Sequence, residues 1–131
     1  MGMNDIKVED VNRDWFCPEE VDGKAIKFSY PGKQGYILLA RDKRTRGMYN
    51  IHFINIENLG ESERESLAKK VIEFLKPGDY LGTCGLYWPG HEIEYRRFSW
   101  RTATFKDTGM LRVLKDSSGS YTVYFPILRK N

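Results

Sequence analysis

A chain of 131 residues, 40% hydrophobic and 30% charged, has the length of one domain with a single core and is too short for two full-sized ones. Its longest apolar runs fall far below what a helical membrane span needs, and its two cysteines, Cys17 and Cys84, are too few for a disulfide framework. The expectation is a cytoplasmic protein with reduced thiols, no membrane association and no cofactor. The net charge of +3 hides an asymmetry: residues 1–22 carry seven acidic and two basic side chains, a balance of −5, so the remainder stands at +8. A polyanionic partner, or an acidic arm lying across a basic body, would account for such a distribution.

The amino-terminal segment Met1-Gly2-Met3-Asn4-Asp5-Ile6 has no apolar h-region, and Ile6 stands where an acylation motif wants Ser or Thr; neither secretion nor acylation is expected. Residues 1–22 lack periodicity and read as an acidic arm, pinned by Trp15 and Phe16, ahead of one α+β domain at 23–131. From Ala25 the pattern is β. AIKFSY, GYILLA and MYNIHFINI are rich in aromatic and β-branched residues. Pro31-Gly32 joins the first two with the pair suited to a type II turn, and the charged RDKRTRG joins the second to the third.

One helix is expected over Ser62–Lys76. Ser62 and Glu65 have capping-box spacing, and Leu67, Ala68, Val71, Ile72, Phe74 and Leu75 form an apolar stripe suited to covering a sheet, with Pro77-Gly78 as the stop. The β pattern then resumes in YLGTCGLYW, EYRRFSWRTATFK, GMLRVL and YTVYFPIL. Tyr30-Pro31-Gly32 rhymes with Trp88-Pro89-Gly90, and Gly47-Met48 with Gly109-Met110, which raises a βββ-α-βββ pseudo-duplication. The fold class is α+β: an antiparallel sheet or partial barrel of about six to seven strands with one central helix packed on it.

Read as a strand, EYRRFSWRTATFK points Phe98 and Trp100 to one face as core anchors and Tyr95, Arg97 and Arg101 to the other. Guanidinium groups suit phosphates, and an exposed ring suits an unpaired base. The turn Arg41, Lys43, Arg44 and Arg46 adds a second concentration of positive charge, set against Asp42 alone. Solvated turns and long Arg stems covering apolar surface explain the same residues without a ligand, and no helix-turn-helix, zinc-finger, KH or RRM signature accompanies them.

The reading that leads is non-catalytic binding of single-stranded nucleic acid through Arg41, Lys43, Arg44, Arg46, Tyr95, Arg97 and Arg101. The alternative is a protein-interaction or inhibitor module, or a homodimer, using the aromatic and Arg surface or the edge of YTVYFPIL, where Pro126 suits an edge position.

Enzymatic chemistry has thinner support. Cys84 between Gly82-Thr83 and Gly85, with His91 across the Trp88-Pro89-Gly90 turn, is the arrangement a thiol hydrolase could use. A cysteine inside a strand lacks the cationic neighbour or helix amino terminus that activates a thiolate, so a small core residue is the simpler reading. His91-Glu92-Ile93-Glu94 alternates faces on a strand and makes a poor metal site, and His52 is expected at an edge or on the surface.

Overall fold

The computed structural model describes residues 3–12, 21–83, 94, 97, 104–115 and 119–131, and these form an α+β fold. Among them a seven-stranded sheet runs in the order β1-β2-β3-β4-β5-β9-β6, beside a two-stranded ribbon β7-β8. The strands are β1 Lys7–Asn12, β2 Val21–Ser29, β3 Tyr36–Asp42, β4 Met48–Ile54, β5 Tyr80–Gly82, β6 Phe105–Asp107, β7 Arg112–Lys115, β8 Tyr121–Tyr124 and β9 Ile127–Lys130, and the helix α1 spans Glu61–Phe74.

The meander β2-β3-β4 follows the expected strands, and its register aligns Ile26 with Leu39 with Ile51, and Phe28 with Ile37 with Phe53. These residues and the helical stripe Leu67, Ala68, Val71 and Leu75 belong to one buried cluster, with Phe74 meeting Phe28 edge to face at 5.6 Å. Alternation on the strands and 3.6-residue periodicity on the helix give the two elements complementary apolar faces. Between β2 and β3, the Lys33 amide donates to the Tyr30 carbonyl at 3.2 Å and Gly32 takes φ +74°. The positive φ at the position after proline is what a type II turn requires.

Four features depart from the sequence reading. The segment expected as an arm contains β1, which pairs antiparallel with β2 from Lys7 to Asn12; Ile6 just ahead of it is buried. The sheet is mixed and open, because α1 is a crossover that brings β5 parallel to β4, as a helical connection permits and a short hairpin does not. YTVYFPIL is two strands: the chain leaves the ribbon after Tyr124, passes the cis Phe125-Pro126 bond and enters the large sheet as β9 between β5 and β6. Among the described residues β5 pairs with β4 and β9.

The fourth departure concerns the start of α1. Gly60 is its N-cap, and the Gly60 amide donates to Glu63 Oε1 at 3.0 Å. The helix thus begins two positions ahead of the expected Ser62 cap, so the carboxylate that reaches back is Glu63 and Glu65 is left for another partner. At the other end, the Lys130 ammonium donates to the Ile72 and Leu75 carbonyls at 2.6 and 2.5 Å, a cation on carbonyls that the helix itself leaves unpaired.

Candidate nucleic-acid interface

The β3–β4 turn is organised around Asp42. Its Oδ1 accepts the Arg44 and Thr45 amides at 2.8 and 3.1 Å, the local pattern by which aspartate shapes turns. On its other side Arg112 of β7 donates through Nε to Oδ2 at 2.9 Å and through a second nitrogen to Oδ1 at 3.2 Å. Burial alone would raise the Asp42 carboxyl; the Arg112 hydrogen bond, the two amides and the Arg112 charge outweigh it and hold the group below its ordinary value. The acid of the turn therefore faces inward, while Arg41, Lys43, Arg44 and Arg46 are all exposed. Arg41 lies 4.0 Å from Asp10 of β1, both side chains well solvated, a pairing of little energetic weight.

Two adjoining open depressions of about 620 and 440 Å³ share Arg41, Arg46, Gly47 and Tyr49. The smaller is completed by the turn itself, including Lys43 and Arg44. The larger extends over Phe74, Lys76, Pro77, Gly78 and Asp79 beyond the end of α1. Tyr49 and Phe74 meet edge to face there at 5.7 Å. Asp79 Oδ2 accepts the Lys76 amide at 2.8 Å, and the Tyr80 amide donates to the Gly47 carbonyl at 2.8 Å, tying the two loops together. Gly47 needs its glycine, with φ +76° and the Asp79 carboxylate 3.1 Å from where a Cβ would stand. Nearby, Arg129 stacks over Tyr80 at 5.8 Å and faces Lys106 across the β6-β9 ladder.

The other expected basic element is built differently. Glu94 and Arg97 have helical backbone, so the strand reading of EYRRFSWRTATFK does not hold at these positions. Arg97 points to α1: its guanidinium donates to Glu61 at 2.6 Å, Glu65 at 2.8 Å and Glu94 at 3.2 Å. Burial opposes the charge, but the guanidinium's hydrogen bonds to Glu61 and Glu65, and the charge of Glu94 with the hydrogen bond to it, raise the Arg97 pKa above its ordinary value. Glu94 is 3% exposed and also has Arg64 at 3.9 Å. This side chain fastens two segments together and does not share the open setting of the β3–β4 turn. Tyr95 and Arg101 lie outside the described residues, as do Cys17, Cys84, His91, Phe98 and Trp100.

His52, expected at an edge or on the surface, is half-buried on β4, where its Nε2 and the Tyr124 hydroxyl share a hydrogen bond of 2.8 Å. Among the described residues no group of three His, Cys, Asp or Glu side chains converges as a metal site, and no helix is long and apolar enough to cross a membrane. No family model, curated protein or solved structure matches the chain. Sequence reasoning overlooked Tyr49, Lys76 and Arg129, which reach this end of the molecule from separate elements; Pro77-Gly78 was the local cue, since a Pro-Gly stop just past the helix leaves Lys76, two residues beyond Phe74, in the connecting loop.

Proposed function

We propose that the protein is a non-catalytic nucleic-acid-binding protein that prefers single strands, with the β3–β4 turn as its principal phosphate-binding element. The observation that carries this reading is the inward commitment of Asp42 to Arg112 while Arg41, Lys43, Arg44 and Arg46 are exposed around one pair of depressions. Clustered cations beside a concave surface raise the local concentration of a polyanion and supply phosphate contacts. Lys76 and Arg129 extend the basic region, and Arg97 is withdrawn from it as the anchor of a carboxylate cluster.

Fluorescence anisotropy of labelled single-stranded DNA, duplex DNA and single-stranded RNA, titrated at low and near-physiological salt, tests the proposal. Single-strand preference that persists at the higher salt supports it. Absence of binding, or binding indifferent to salt, removes it.

A second reading has its own observation. On the outer face of the β7-β8 ribbon, Leu111, Val113 and Tyr121 are 59%, 41% and 67% exposed, next to Met110 at 48%. Val113 pairs with Val123 and Lys115 with Tyr121 on that face, while the alternate residues Arg112 and Tyr124 turn inward to Asp42 and His52. Exposed large apolar groups collected on one ribbon suit a protein interface. Sedimentation velocity on the wild type and on a Leu111→Ser/Tyr121→Ser variant tests a homodimer there: a wild-type monomer at all concentrations rules it out.

A further inference from the structure

The larger depression differs in kind from the turn beside it. The turn offers charge alone, whereas the depression is lined by the edge-to-face pair Tyr49 and Phe74 together with Arg41, Arg46, Lys76 and Asp79. Both rings are only partly buried against the core. At about 620 Å³ it lies in the range of about 300–1,000 Å³ typical of sites that hold a single small molecule. Guanidinium and ammonium groups beside an aromatic surface are what a nucleotide's phosphate and base separately require.

From this juxtaposition we infer that the depression is a base subsite: one unpaired base of a single strand stacks on the Tyr49 ring, which Phe74 meets edge to face, while Arg41, Arg46 and Lys76 hold the flanking phosphates. The inference rests on the proposed nucleic-acid binding and gives its single-strand preference a location. A duplex cannot use such a ring without unstacking a base, and is left with the phosphate contacts alone.

The test compares a short single-stranded oligo-dT with an abasic oligonucleotide of the same length and charge, on the wild type and on Tyr49→Leu and Tyr49→Phe variants. Wild type is expected to bind the base-bearing strand about tenfold more tightly than the abasic one. Tyr49→Leu, which keeps an apolar group against Phe74, should bring the two affinities together without changing the salt slope, and Tyr49→Phe should preserve the difference. Equal wild-type affinity for both strands, or discrimination that survives in Tyr49→Leu, overturns the subsite while leaving phosphate binding intact. Failure of the wild type to bind either strand at any salt concentration overturns the nucleic-acid reading and the subsite with it.

Discussion

Arg97 and the arginines of the β3–β4 turn look alike in sequence, each set in a basic stretch, yet they occupy opposite physical situations. Arg97 has a side chain only 9% exposed and meets carboxylates of Glu61, Glu65 and Glu94. Arg41 is 46% exposed, with a solvated Asp10 at 4.0 Å. A guanidinium that is itself shielded and hydrogen-bonded to a buried acid contributes to specifying the fold, and its replacement strands that acid, here Glu94. On the proposed reading, exposed cations around a turn whose acid faces inward present their field to a polyanion. Charge density along a chain says little about binding until the destination of each counter-charge is known.

Substitutions can break this contrast, and Arg97→Ala should have the largest effect. It leaves the Glu94 carboxylate buried with Arg64 at 3.9 Å, at a cost on the order of 3–5 kcal/mol. Urea denaturation measures it, and a decrease under about 1 kcal/mol would place Arg97 with ordinary surface pairs. Arg112→Ala comes next, at about 1–3 kcal/mol for depriving the buried Asp42 carboxylate of its charged donor; the same measurement applies.

Acid sharpens the role of Asp42. Because its folded pKa is lowered, its contribution to stability is fully present above its unfolded pKa of about 3.9 and is lost as pH falls through the folded value. Denaturation midpoints followed downward from pH 5 should therefore drop less steeply in Asp42→Asn than in the wild type. Smallest in stability is the Arg44→Ala/Arg46→Ala double variant, expected within about 0.5 kcal/mol of wild type. On the proposed reading its effect falls on binding, where removing two phosphate-neutralising cations should reduce the logarithmic salt slope on a single strand by about 1.4, about 0.7 for each. An unchanged slope would separate the turn from the phosphates.

Local pattern made the meander and the helix legible. Phe28, Ile37, Leu39 and Ile51 alternate with partners on the opposite face, and Leu67, Ala68, Val71 and Leu75 recur at helical spacing; all are buried as expected. β1 escaped notice because KVEDVN has no apolar face: Val8 is 40% exposed, and the strand is held by backbone pairing at the sheet edge. At Glu94 and Arg97 the alternation of large and charged residues imitated a strand. The spacing of those two residues was the available contrary signal, since acid and base three apart meet on a helix.

The candidate site was legible in half. Arg41, Lys43, Arg44 and Arg46 could be read from adjacency, but the inward turn of Asp42 depends on Arg112, 70 positions away, and the aromatic pair depends on Tyr49 of β4 meeting Phe74 of α1. Such long-range pairings are decided by topology, which periodicity does not encode.

The parallel seam between β4 and β5 bears on how the molecule opens. Its register covers Met48 with Tyr80, Tyr49 with Leu81 and Asn50 with Gly82, whereas β3 and β4 remain in register from Tyr36 to Arg41. Short ladders give up their amide protons through smaller fluctuations than long ones. Hydrogen exchange should consequently be slowest in the β2-β3-β4 meander and faster across β5, β9 and β6, which makes the sheet two cooperative units of unequal stability. Because the larger depression draws Tyr49 from one unit and adjoins Asp79 beside the other, an occupant bridging them would slow exchange most at the seam, away from its own footprint as well as beneath it.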